Sequence, residues 1–243
     1  MLNAEERKTL SEIKEKYYMP PVVSRLETAI EHYGHKEAFK YLHTIIRDAQ
    51  SDVMEKIQER KRLGLITDVS QASKSVVGAI FSYCIEYLFL RAKENGCARQ
   101  DVFVTSKVAK YKELISITVG DETQKPDMDL VFYTLDEAQK LKNIMIVSLK
   151  TSLRERASQT YKWKLLLEIA TTENAIKDKY NITYPLNKTP LVCFATVNFY
   201  NEINNPQHRG MFKFFDKSFI GKPIESGFID NLSTLVDYVN SNL

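Results

Sequence analysis

The chain has 243 residues, is 44% hydrophobic and 27% charged, and carries a formal net charge of +3 at pH 7. That length fits one domain, or one with a helical annex, and can bury a sizeable core without covalent staples. Its three cysteines, Cys84, Cys97 and Cys193, lie far apart with no Cys-x-x-Cys pair, which argues against a disulfide framework or a structural zinc site and suits a reducing, cytoplasmic setting. The dense charge from Asn3 to Lys16 is unlike a signal peptide, and no apolar run reads as long enough to span a bilayer, so no membrane partner is expected. The small positive excess is weak support for a polyanionic partner, because a DNA enzyme can confine its positive field to a cleft.

In chain order, the first ninety-odd residues read as helical. Ala4 to Tyr17 is charged and periodic, Pro20-Pro21 breaks it, and Val22 to Tyr33 resumes. Glu37 to Arg62 reads as one long amphipathic helix, with Ile45, Ile46, Val53 and Ile57 on one face and Gly64 as its stop. A fourth helix runs from about Gln71 to Asn95. Then the texture changes. Val102 to Thr105 and Leu114 to Val119 are β-rich, with a turn at Gly120-Asp121. Leu130 to Tyr133 and Ile144 to Lys150 read as strands, joined by a polar segment, Asp136 to Lys142. A helix begins near Leu153 and passes Glu168, Pro190 to Tyr200 holds another strand, and Phe228 to Val239 a last helix. The order predicts an α/β fold: a mixed central β-sheet flanked by helices, with an N-terminal helical layer. The division expected is a helical region, 1–95, and an α/β core, 96–243, in one compact unit.

The chemistry concentrates around two short stretches, Pro126-Asp127-Met128-Asp129 and Ser148-Leu149-Lys150. Strand residues two apart share a face, so Asp127 and Asp129 can point at one site, as can Ser148 and Lys150. The plainer readings are a polar turn for Pro126-Asp127 and a lysine that snorkels into water. The joint pattern favours chemistry: an acid opens one apolar strand and a lysine closes the next. If the strands pair, carboxylate and ammonium meet at one end of a sheet. A hard cation such as Mg²⁺ takes carboxylate oxygens and water, and a lysine beside it can orient the attacking water and neutralise developing charge.

Next comes Thr151-Ser152-Leu153-Arg154-Glu155-Arg156. Ser152 and Glu155 have capping-box spacing, which gives Glu155 a structural reading. The arginines lack one, since cations in a helix's first turn oppose its dipole. Arginine reads guanine bidentately and an acid can accept from cytosine, so Arg154, Glu155 and Arg156 form a sensible reader of adjacent C·G pairs. Gln159, on the same helix, reads first as solvated polar surface and otherwise can face the site or the DNA. Upstream, Glu86 sits in an apolar stretch, Ser75 to Leu90, where a lone carboxylate needs a metal or an ion-pair partner such as Arg91. Lys162 and Lys164 read as solvated, and Tyr161 and Trp163 as packing residues. No phosphate-cradling glycine-rich loop is present, so no nucleotide cofactor is expected.

Pro126-Asp127 with Ser148-Leu149-Lys150 resembles the PD-(D/E)XK nuclease superfamily. With Arg154-Glu155-Arg156 added, the stretch from about Lys125 to Gln159 resembles the branch of type II restriction endonucleases that carry Ser-x-Lys and R-(D/E)-R and read CCGG, CCNGG or related sites. The resemblance implies a homodimeric, Mg²⁺-dependent enzyme cutting double-stranded DNA. Asp127, Asp129 and Glu86 would serve the metal, and Asp127, Lys150, Glu86 and Ser148 the catalytic centre. Arg154, Glu155, Arg156 and Gln159 would meet the DNA. The chain departs from the superfamily at Ser148, where an acid is usual. In the resembled branch that acid comes from the following helix, at a distance that falls here on Trp163 or Lys164; Glu168 is the nearest carboxylate. Two alternatives share these residues: a nuclease of repair or mobile-element processing, and a DNA-binding protein without catalysis.

Overall fold

The computed structural model describes residues 1–126, 128–153, 157–186 and 188–243, with side chains left out at 157–159. The N-terminal layer holds α1 (Ala4–Glu15), α2 (Pro20–Tyr33), α3 (Leu42–Asp48), α4 (Gln50–Arg62) and α5 (Val69–Glu94). Asn3 and Glu6 close a capping box on α1. Pro20 and Pro21 stand at the first positions of α2, where a missing N–H costs nothing. The single helix expected over Glu37 to Arg62 is instead a 3₁₀ turn, Glu37–Tyr41, followed by α3 and α4. Periodicity alone does not register such joints, because both helices bury residues of the same apolar face, Ile45 and Ile46 in α3, Val53 and Ile57 in α4.

The long helix α5 corrects the expectation that no apolar segment is long enough to cross a bilayer. Its 26 residues meet that requirement of length and composition. Its setting is that of a core helix: Ile80, Phe81, Cys84, Ile85, Leu88 and Phe89 are buried against the other helices and the sheet. At its C-terminal end the buried ammonium of Lys93 pairs with Glu6 of α1 and donates to the carbonyl of Val102 at 2.7 Å.

The α/β part contains β1 (Val102–Thr105), α6 (Ala109–Leu114), β2 (Ile117–Val119), β3 (Glu122–Gln124), β4 (Leu130–Leu135) and β5 (Leu141–Lys150). It continues with α7 (Ala157–Thr171), α8 (Ala175–Lys179), β6 (Ile182–Thr183), β7 (Leu191–Thr196), α9 (Pro206–Phe212), β8 (Lys217–Ile220), β9 (Asp230–Asn231) and α10 (Leu235–Asn242). Six strands form a mixed sheet in the order β1-β4-β5-β7-β8-β9. The β1, β4 and β5 pairings are antiparallel; β5, β7, β8 and β9 run parallel. A smaller antiparallel sheet, β3-β2-β6, lies beside it, and Gly120 takes a φ of 60° in the tight β2–β3 turn that a side chain would strain.

Alternation along the strands sorts the core into two layers. Leu130, Phe132, Met145, Val147 and Leu149 pack with the helices of the N-terminal layer. Val131, Ile144, Ile146, Val192 and Phe194 pack on the other side with Leu167 and Ala170 of α7. The central sheet is thus covered on both faces, and its strand ends are left as the place for polar side chains.

Candidate active site

Strands β4 and β5 pair with Leu130 opposite Val147 and Val131 opposite Ile146. This antiparallel register brings the start of β4 beside the end of β5. Asp129 has the parity of Val131 and Lys150 that of Ile146, so both project toward the α7 layer. The Oδ2 atom of Asp129 accepts the Leu149 backbone N–H at 2.7 Å and the Lys150 ammonium at 3.2 Å. Asp129 keeps 32% of its side chain exposed and Lys150 only 11%, so the lysine is held in the site and does not snorkel into bulk water. Ser148 is fully buried two residues earlier on the same face.

Glu86 reaches the same end of the sheet from the helical layer. Its Oε1 accepts the backbone N–H of Ser106 at 3.2 Å, and Ser106 directly follows β1, whose Thr105 pairs with Val131. Arg91, an ion-pair partner considered for Glu86, belongs elsewhere: it binds Glu27 and Glu94. The other oxygen of Glu86, Oε2, is buried and has no hydrogen-bond partner among the described residues. Burial pushes the Glu86 carboxyl above the usual carboxylate range, against the pull of Ser106, Lys107 and Lys16. An orphaned buried carboxylate oxygen at this end of the sheet has the chemistry a hard cation takes. Among the described residues no three His, Cys, Asp or Glu side chains form a metal-holding group.

Asp127, Arg154, Glu155 and Arg156 lie outside the described residues, as does the side chain of Gln159. Two sequence expectations need correction. Lys164 is not solvated: it is buried and donates to both oxygens of Asp216 at 2.9 Å, with Glu168 at 3.3 Å. Glu168 is therefore not brought to Lys150. Asp216 accepts the N–H of Val192, four residues before Thr196, which pairs with Lys150. At about 3.3 Å per residue the two levels are roughly 13 Å apart. Trp163 lines a small apolar cavity with Pro126, Ile146 and Leu167, as a packing residue does.

Sequence reasoning missed Glu202, in the loop between β7 and α9. Its Oε2 accepts the Leu153 N–H at 2.7 Å and the Ser152 hydroxyl at 3.1 Å, immediately after the Lys150 strand. No local motif signals a contact that spans fifty residues of chain.

The family described as BsaWI restriction endonuclease type 2 matches residues 107–238, more than half of the chain. A candidate type II restriction enzyme, MjaVIP, of Methanocaldococcus jannaschii is 40% identical over 68 residues, a match covering 28% of this chain and 30% of that relative's length. The crystal structure of the restriction endonuclease AgeI in complex with DNA aligns over 99% of this chain and 92% of its own, at 13% identity and a TM-score of 0.43.

Proposed function

The chain belongs to the BsaWI family of type II restriction endonucleases, and from that premise we propose that it hydrolyses phosphodiester bonds of double-stranded DNA at a short palindromic site containing C·G pairs of the CCGG type. The observation that carries the reading is the meeting of Asp129 and Lys150 at one end of the central sheet, 3.2 Å apart. Glu86, with a buried oxygen that has no partner among the described residues, supplies a second carboxylate from that end.

Asp129 and Glu86, with Asp127, would hold a divalent cation, Mg²⁺ in this reading. When bound, that cation supplies a Lewis acid beside the scissile phosphate and acidifies a water. The chain's own residues do the rest. The Leu149 N–H and the Lys150 ammonium fix the Asp129 carboxylate by charge-assisted hydrogen bonds, so it meets the substrate already oriented. Lys150 then turns to the attacking water and to the phosphoryl oxygens, where its positive charge offsets the charge that develops. Ser148 lines the site from the strand. Arg154, Glu155 and Arg156, with Gln159, read C·G pairs in the major groove. A palindrome cut in both strands calls for two sites related by a two-fold axis, hence a homodimer.

The test is digestion of a sequenced plasmid with purified protein and Mg²⁺, followed by end mapping. Discrete fragments with fixed ends at one short palindrome are expected. Random ends would point to a nuclease of repair or mobile-element processing. Binding without cleavage under any divalent ion would reduce the chain to a DNA-binding protein.

A further inference from the structure

We infer that Glu202 is a positioning residue for DNA reading, one that locks the segment leading into Arg154–Arg156 to the strand carrying Lys150. The inference rests on the function proposed above. Five contacts among the described residues build the lock. The Glu202 carboxylate holds the Leu153 N–H and the Ser152 hydroxyl, at 2.7 and 3.1 Å. The N–H of Phe199 donates to the Thr151 carbonyl at 3.2 Å. Glu202 is itself held at both backbone groups: its N–H donates to the Asn198 side chain at 2.7 Å, and its carbonyl faces His208 Nδ1 at 2.8 Å.

The loop that presents Glu202 is built for the purpose. Asn198 is 2% exposed and takes a φ of 50°, a left-handed backbone that asparagine tolerates. Its own N–H is fixed by the Thr196 hydroxyl at 2.9 Å. Thr196 stands beside Lys150 in the parallel β5–β7 register. One rigid path therefore runs from the Lys150 strand through Thr196, Asn198 and Glu202 to Leu153, whose next neighbour in the chain is Arg154. Among the described residues this carboxylate accepts from Ser152 and Leu153, and so holds the backbone that directly precedes Arg154. The chemistry at Lys150 does not depend on it directly.

The experiment uses the full-length protein with Glu202→Ala and Glu202→Gln. Amide hydrogen exchange at Leu153 is measured in the free protein. Discrimination is measured as kcat/KM on the cognate duplex against a duplex with one altered base pair. Loss of the charge-assisted bonds in Glu202→Ala should speed Leu153 exchange and lower discrimination, each by about tenfold or more. Glu202→Gln, which keeps an acceptor oxygen without the charge, should fall between the alanine variant and the wild type. Discrimination unchanged in both variants would overturn the inference, as would Leu153 exchange no faster than in the wild type. Should the alanine variant fail to fold, the glutamine variant decides alone, and wild-type values in it count against Glu202. A wild-type protein that cuts no DNA defeats the proposed function instead, and the Leu153 exchange still reports on the lock.

Discussion

At the scale of single residues, the site contrasts a satisfied carboxylate with an unsatisfied one. Asp129 is held by a backbone N–H and an ammonium, while Glu86 is buried with one oxygen unpaired among the described residues. Burial raises the Glu86 pKa in the folded protein. The sign follows from linkage: a raised folded value makes the contribution to stability full below the unfolded carboxylate pKa, and that contribution is lost as pH rises through the folded value. Glu86→Gln, which stays neutral, should therefore match the wild type at low pH and grow more stable than it with rising pH in metal-free buffer. Urea unfolding across pH in the presence of chelator measures this, and a difference that does not vary with pH contradicts it. Mg²⁺ should raise the melting temperature of the wild type and leave that of Glu86→Gln nearly unchanged.

At the scale of elements, the Lys93–Glu6 ion pair joins α5 to α1 within the helical layer, with side chains 1% and 8% exposed, and the same ammonium ties that layer to the sheet through the Val102 carbonyl of β1. Removing one partner of a buried pair strands the other charge, so Lys93→Ala should cost on the order of 3–5 kcal/mol of unfolding free energy. A loss within about 0.5 kcal/mol, the range of ordinary surface substitutions, would show the pair to be unimportant. The pair joins residues eighty-seven apart and has no sequence signature, whereas β1, β5 and α5 were legible because each carries an uninterrupted period or apolar run. The same distinction governs the site. On sequence, Asp127 stands first beside Lys150, with Asp129 as its neighbour or substitute; Asp127 lies outside the described residues, and the contact they give is that of Asp129 with Lys150. Glu202 was not legible, because its role depends on a loop meeting a strand end. Lys164 was misread for a related reason: an exposed-looking helical lysine is indistinguishable in sequence from one that finds Asp216.

At the scale of the molecule, a mixed sheet covered on both faces leaves one polar end, formed where β4 starts and β1 and β5 finish. Helices α5 and α7, on opposite faces, flank that end, one bringing Glu86 and the other following Arg154–Arg156 in the chain. A palindrome needs two such ends, so sedimentation equilibrium should show a dimer whose mass is independent of Mg²⁺. A monomer at all concentrations would contradict the two-fold arrangement. The whole account turns on the Asp129–Lys150 end of the sheet being the place where the phosphodiester is broken. Cleavage and binding of the mapped site by Lys150→Ala test it most directly. Cutting should fall by about 10²-fold or more while the affinity for the duplex is retained; a Lys150→Ala protein that cuts at the wild-type rate would contradict it.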